Sequence, residues 1–431
     1  MQVALISLGC AKNLVDSEMA LGLFKKDGYE ITNNLEKADL IVINTCGFIQ
    51  SAKEEAINMI FNVLKYKKEN KKIMVMGCLS QRYKDILENE IPEVDRFIAI
   101  DEYQNFGEIV SQLMGEKSNI QESLSYNRRV IGTPNHWAYV RIADGCNNNC
   151  SYCAIPLIRG KYKSRQLDDI YEEVNSLVKS GYKEIVLISQ DTTRYGKDIG
   201  TSIEELLEKL SSINDLKLLR FLYLYPNDVT KELVQVVKNH ENIAPYFDIP
   251  MQHGSNRMLK LMNRRGTTQN ALELINYIRK EIPNAIFRTT LMVGFDYETD
   301  EDFNEMIEFV ENARFDRLGV FKFSKEEDTP AAMMHGDIDE EIKNKRYQEI
   351  LKIQRKIAIK NSKNQVGKIH TAFIDNYDNS MKKYKARSYA FAGDEIDGWI
   401  YLESDKKLNP GDEVKVKIVG YYVYDLLGEI I

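Results

Sequence analysis

The sequence predicts an α/β protein in three parts: an N-terminal parallel α/β sandwich, a central TIM-type βα barrel, full or open, and a small C-terminal antiparallel β barrel. Three observations predict it. Strand-length apolar runs alternate with helical periodicity near the start, the same alternation recurs through the middle, and the end changes to short alternating runs separated by turns. A chain of 431 residues has room for such a division, since domains run to ~100–200 residues each. The expected domains are residues 1–122, 132–363 and 365–431.

Residues 3–8, 40–44 and 73–76 read as strands, each followed by a helical pattern at about 16–27, 51–69 and 79–88. Such alternation builds βα units on a parallel sheet. The polar stretch Lys117–Arg129, ending at Gly132-Thr133-Pro134, reads as a linker. Strands at 139–142, 184–189, 220–225, 246–249, 286–293 and 317–323 then alternate with helices, and Thr299 with Asp302 has the form of a capping box. Repeated βα units of this kind place chemistry at the C-terminal ends of strands. A charged amphipathic helix over 338–363 looks like a connector. Beyond Gly367, runs at 368–374, 385–390, 399–402, 413–419 and 421–426 read as the strands of the small barrel.

Composition excludes several classes. The 58 basic and 65 acidic residues leave a net charge of −7, so the whole chain is no nucleic-acid glove. No apolar run approaches the ~18 residues that cross a bilayer, and the first residues read as a strand rather than a signal peptide. The expectation is a cytoplasmic protein with no membrane partner. Six cysteines are too few for a disulfide scaffold, and none of the five histidines has zinc-finger spacing. Thiolates without imidazole partners favour iron–sulfur over zinc.

The cysteines fall into two sets. Cys10, Cys46 and Cys78 each follow a predicted strand, and in parallel sheets ligands bind beyond the carboxyl ends of strands. Three thiols far apart in sequence can thus meet at one sheet edge; the alternative is three buried structural cysteines. Cys146, Cys150 and Cys153 form a tight C-x-x-x-C-x-x-C. A 4Fe–4S cube normally takes four thiolates; with three, one iron keeps an open position for a reacting ligand. An electron-transfer cluster with a fourth ligand from elsewhere and a zinc knuckle are the alternatives.

The segment Gly145-Cys146-Asn147-Asn148-Asn149-Cys150-Ser151-Tyr152-Cys153 strongly resembles the radical S-adenosylmethionine superfamily. The resemblance implies a cube whose open iron chelates S-adenosylmethionine, with Tyr152 near the adenine. It also implies a cofactor wall that includes Val293, Gly294, Phe295 and Glu298, although Asp296-Tyr297 stands where relatives more often have Pro-Gly. Glu184 and Gln190 join the candidate cofactor contacts. The whole chain resembles the methylthiotransferase subgroup, which implies a second 4Fe–4S cluster on Cys10, Cys46 and Cys78 and a terminal TRAM barrel.

Members of that subgroup modify tRNA or a ribosomal protein. The contexts Leu8-Gly9-Cys10-Ala11-Lys12-Asn13-Leu14-Val15-Asp16-Ser17-Glu18, Asn44-Thr45-Cys46-Gly47-Phe48, Gln190-Asp191-Thr192-Thr193 and Ala386-Arg387-Ser388-Tyr389 resemble the ribosomal-protein branch. That branch implies methylthiolation of an aspartate β-carbon in the twelfth small-subunit protein, free or within the subunit, by a monomer whose electron and sulfur donors are unspecified. Independently, residues 365–431 carry nine Lys/Arg and eleven Asp/Glu. A phosphate-gripping module is basic, whereas an acidic barrel suits a basic partner, unless the charge is only a solvated surface. A tRNA adenosine methylthiotransferase and a non-enzymatic iron–sulfur ribosome binder are the alternative readings.

Other residues have plainer readings. Arg257, Lys260, Arg264 and Arg265 read first as a solvated helix face, with contact to ribosomal RNA or a carboxylate as the alternative; Tyr223 and Tyr225 read first as core packing on a strand, with the barrel mouth as the alternative. Gln190 and Asp191 end a strand on the catalytic side. His253 is not assigned a catalytic part.

Overall fold

The computed structural model describes residues 1–115, 118, 120–393 and 397–431; Lys117, where the expected linker begins, lies outside the described residues. Strands β1 (Gln2–Ser7), β2 (Glu30–Ile31), β3 (Leu40–Thr45), β4 (Lys72–Gly77) and β5 (Arg96–Ile98) form one parallel sheet in the order β2-β1-β3-β4-β5. Helices α1 (Ala11–Lys26), α2 (Gln50–Leu64), α3 (Cys78–Glu90) and α4 (Phe106–Met114) cover it. One face packs Phe24 and Phe106 against Val42 and Met74, the other Ile60 and Leu87 against Ile43 and Val75. Every residue of β3 is buried, the continuous apolar pattern of a strand covered on both faces. The short edge strands β2 and β5, and α4, were not among the expected elements. Helix α1 begins five residues before the expected start, because its polar first turns are buried against polar partners rather than solvated.

The central part begins with β6 (Trp137–Arg141), followed by the small hairpin β7 (Ala143–Asp144) and β8 (Lys163–Ser164). Strand β6 pairs in parallel with β9 (Glu184–Ile188), and β9 with β10 (Leu218–Phe221). Strands β11 (Tyr246–Asp248), β12 (Ile286–Val293) and β13 (Arg317–Lys322) form a second parallel trio, joined to the first by a bridge between Leu219 and Ile243. Among the described residues β6 and β13 do not pair, so the six-stranded wall stays open. Helices α5 (Ile155–Arg159), α6 (Leu167–Lys179), α7 (Ile203–Ser211), α8 (Lys231–Asn239), α9 (Asn256–Leu261), α10 (Thr268–Glu281) and α11 (Asp300–Ala313) connect the strands. The Thr299–Asp302 capping box opens α11 as the sequence predicts. Helix α12 (Glu340–Lys363) is more than a connector. It buries Ile350 in the central core, and its Arg346 donates to Glu298 Oε1 at 2.8 Å.

The chain ends in a closed barrel, β14 (Ile369–Asp378), β15 (Lys383–Ser388), β16 (Ile400–Leu402), β17 (Glu413–Tyr421) and β18 (Leu426–Ile430). The last strand starts where the sequence suggested it would end, because Tyr422 N donates to Asp425 O at 2.8 Å and turns the chain between β17 and β18.

This barrel docks onto the N-terminal ends of the central strands through buried charge. Arg387 donates to Asp375 (2.7 Å) and to Glu184 (2.9 Å), and Glu184 also accepts from Arg220 at 3.1 Å. Arg220 further donates to the carbonyls of Tyr389 and Phe391, both at 2.9 Å. Glu184 is therefore not a cofactor contact. It sits at the start of β9, at the end of the strands away from the cysteines, and both its oxygens are taken by arginines.

Removing one partner of a buried, hydrogen-bonded charge pair leaves the other uncompensated. Glu184→Gln is expected to lower unfolding stability by about 3 kcal/mol, measured as the denaturant midpoint of the metal-free protein; an unchanged midpoint contradicts the docking role.

Candidate functional site

All six cysteines line one cavity of about 470 Å³ between the C-terminal edge of the N-terminal sheet and the mouth of the central strands. Lys12, Phe48, Asn148, Tyr152, Ile155, Arg159, Gln190, Asp191, Tyr223, Tyr225, Gln252, Arg264 and Phe321 line it with them.

Cys10 caps α1 just after β1, Cys46 follows β3, and Cys78 opens α3 directly after β4. Two glycines let these three exits touch. A Cβ on Gly9, at φ +90°, would stand 2.8 Å from Cys46 Cβ, and one on Gly47 would stand 2.9 Å from the Cys78 carbonyl carbon. Both distances are closer than real side chains approach, so backbone without side chain is required there. Asn13, fully buried, ties the exits together. Its amide donates to the carbonyls of Leu8 (3.2 Å) and Thr45 (3.0 Å), while its Oδ1 accepts from the Cys78 thiol at 3.4 Å.

The second set sits on the loop between β7 and α5. Ser151 pins that loop to α9, its N donating to Met262 O (3.0 Å) and its hydroxyl to Leu261 O (2.9 Å). Arg264, placed by the sequence on a solvated face, instead points into the cavity. It donates to the Tyr152 hydroxyl (3.2 Å), to Pro250 O (2.7 Å) and towards Cys150 Sγ (3.8 Å). Arg159 plays the matching part for the first set: its Nη2 lies 3.7 Å from Cys78 Sγ and donates to Asp16 Oδ2 and Asn13 Oδ1, both at 2.8 Å. Its other nitrogen reaches Asp144 at 3.1 Å. Each thiol set thus has one guanidinium at its edge.

Electrostatics at the thiols point the same way. Burial, reinforced by the neighbouring Cys78 thiol, pushes Cys46 up to about 12, and burial pushes Cys153 up to about 12. Burial also raises Cys78 and Cys146. Gathering such thiolates in one cavity requires positive charge among them, which a metal supplies. Among the described residues no group of three Cys, His, Asp or Glu suits a single metal ion. The donor set, thiols only and three to a set, fits a larger object that offers each thiolate its own iron.

The other candidates divide. Tyr152 and Gln190 line the cavity; Gln190 donates to Asp144 Oδ1 at 3.0 Å, and its Oε1 is buried without a hydrogen-bond partner. Asp191, held by Asn148 (2.7 Å) and the Thr193 hydroxyl (2.6 Å), lines it too. Val293, Gly294, Phe295 and Glu298 are buried behind the cavity lining rather than forming it. Phe295 packs in the cluster that backs Tyr152, and Glu298 Oε2 accepts from Gly294 N at 2.7 Å and lies 3.3 Å from His253 Nε2. Tyr297 takes φ +64°, a left-handed backbone region that favours glycine. Tyr223 and Tyr225 lie beyond the end of β10, not on it, and face the cavity instead of serving as plain core. Tyr223 at φ +65° and Gln252 at φ +72° are non-glycine residues in left-handed conformation on the cavity wall, a form of strain that marks functional loops.

Residues 2–99 match the model of uncharacterized protein family UPF0004, residues 140–310 the radical SAM superfamily, and residues 366–431 the TRAM domain. The chain is 47% identical over 441 residues to "Ribosomal protein uS12 methylthiotransferase RimO" of Caldicellulosiruptor saccharolyticus, covering 100% of both chains. It is 44% identical to the protein of the same name from Clostridioides difficile, covering 100% of this chain and 99% of that one. The chain belongs to the RimO family. Among solved structures, the radical S-adenosylmethionine methyltransferase TsrM from Kitasatospora setae shares the fold at a TM-score of 0.60 and 11% identity, covering 83% of this chain and 89% of that one. RimO membership and the radical SAM domain imply iron–sulfur and S-adenosylmethionine chemistry here, and no helix among the described residues is long and apolar enough to cross a membrane.

Sequence reasoning gave no role to Lys12, Asn13 or Arg159, and set Arg264 on a solvated face. A signal existed for two of them: the polar run Lys12, Asn13, Asp16, Ser17, Glu18 at the head of α1 is buried, and polar residues on a buried helical face need partners.

Alkylation of the metal-free protein at pH 8 tests the thiol environments. Exposed Cys10 is expected to react before buried Cys78, whose thiolate burial makes scarce. Mass spectrometry that finds both labelled at one rate contradicts the assigned burial.

Proposed function

We propose that this chain methylthiolates the β-carbon of an aspartate in ribosomal protein uS12. The observation that carries the reading is the cavity shared by six cysteines, three from each of two parts of the chain, within a protein related end to end to curated RimO proteins. Cys146, Cys150 and Cys153 hold one 4Fe–4S cluster, and Cys10, Cys46 and Cys78 hold a second. When bound, these groups and S-adenosylmethionine would supply radical chemistry, a methyl group and sulfur.

The chain's own residues perform the rest. Arg264 fixes Tyr152 and offers a guanidinium beside Cys150, where it would meet the carboxylate of S-adenosylmethionine. Gln190 presents an unpartnered carbonyl oxygen as an acceptor for the same ligand. Arg159, neutralised by Asp16 and Asp144, donates towards Cys78 and lowers the cost of negative charge on that set. Phe48, Ile155, Tyr223, Tyr225 and Phe321 surround the space between the sets and limit water there. The enzyme works as a cytoplasmic monomer on uS12, free or within the small subunit.

Anaerobic protein loaded with iron and sulfide, incubated with dithionite, S-adenosylmethionine and uS12, is expected to give uS12 with one methylthio group on one aspartate by mass spectrometry. Unmodified uS12 beside a methylthiolated tRNA adenosine would replace this reading.

A further inference from the structure

Three cations line the cavity, and two are already committed. Arg159 is neutralised by Asp16 and Asp144, and Arg264 is spent on the Tyr152 hydroxyl and the Pro250 carbonyl beside Cys150. The third, Lys12, is buried at 7% exposure two residues after Cys10. Its Nζ lies 3.2 Å from the centroid of the Tyr223 ring, and among the described residues it has neither a hydrogen-bond acceptor nor an ion-pair partner. The Cys10 thiol is the first negative group to act on it; the next, the carboxylate of Asp248, accepts from Tyr223 N at 3.1 Å and faces Arg288. Asp144 is held by Arg159 and Gln190.

A buried ammonium without an anion is costly and persists where a ligand completes it. The strained Tyr223 backbone holds the ring under this amine, so the charge is aimed rather than loose. Lys12 comes from the part of the chain that carries Cys10, Cys46 and Cys78, and it faces the part that carries Cys146, Cys150 and Cys153. A side chain entering between the sets meets it.

We infer that Lys12 is a specificity-determining residue that receives the side-chain carboxylate of the acidic residue being modified, on the platform of the Tyr223 ring. The inference rests on the proposed function and deepens it. An aspartate carboxylate is one bond from the β-carbon, so fixing it on Lys12 fixes which hydrogen faces the radical. A neutral nucleobase offers this amine no such counter-charge, which makes the same contact a filter against nucleic-acid substrates.

The test is a binding cycle with the iron-loaded enzyme. Binding of uS12 is measured for the native form and for a form with asparagine at the modified position, with unsubstituted enzyme, Lys12→Met and Lys12→Arg. Methionine keeps the length over Tyr223 and removes only an uncompensated charge, so the variant folds; its iron content checks this. Unsubstituted enzyme is expected to bind the aspartate form roughly 10- to 100-fold more tightly than the asparagine form. Lys12→Met should bind both at the weaker level, and Lys12→Arg should recover most of the preference. If Lys12→Met keeps the full preference, or loses affinity for S-adenosylmethionine rather than uS12, the inference is wrong while the function stands. If the unsubstituted enzyme modifies uS12 without preferring the aspartate form, the inference again fails alone. If it does not modify uS12, the function fails and the inference falls with it.

Discussion

Buried Asp16 is the joint on which this molecule turns. It projects from α1, six residues after Cys10, and accepts from Arg141 at 2.6 Å and from Arg159 at 2.8 Å, both from the central part of the chain. A carboxylate with no solvent exposure held between two arginines costs desolvation, and it is tolerable only when every charge finds its partner. That condition sets the geometry. It seats the C-terminal edge of the N-terminal sheet on the mouth of the central strands, and only in that seat do two sets of thiols share a cavity. The segment expected to be a linker reinforces the seat: Arg129 donates to Glu18 at 2.8 Å and pairs with Glu173 at 2.7 Å, so it straps the two parts together instead of merely connecting them.

Buried charge also fixes the third part. The network of Glu184, Arg220, Arg387 and Asp375 locks the small barrel to the opposite end of the central strands, and the tip before its third strand sits close to Trp137, where a Cβ on Gly393 would stand 2.8 Å from the ring. The terminal barrel therefore closes the base of an open wall, and two of its acids, Asp375 and Asp397, are buried in the structure. The cavity shared by the six cysteines lies at the other end of the central strands.

Much of this was readable in the residues, for identifiable reasons. Strands such as β3, buried on both faces, are continuous apolar runs, and the cysteines sit at the one place in a parallel sheet where loops converge. The capping box at Thr299 is local chemistry and needs no tertiary context. What was not readable depends on distant partners. Glu184 looked like a cofactor contact because its arginines lie 36 and 203 residues away. Arg264 looked solvated because nothing local tells an arginine that it will face Tyr152. Lys12 and Asn13 sat inside a quoted motif without a role, since only the fold shows one as an unpaired charge and the other as a tie between three strand ends.

The central claim is that two separate thiol tripods face one another across a single cavity. Iron and acid-labile sulfide, counted per chain after anaerobic loading alongside EPR of the reduced protein, test it most directly. Two cubes require about eight irons per chain, falling to about four when Cys10, Cys46 and Cys78 are replaced together by alanine. About four irons in the unsubstituted protein, unchanged by that triple replacement, would leave the N-terminal thiols without a cluster and contradict the account.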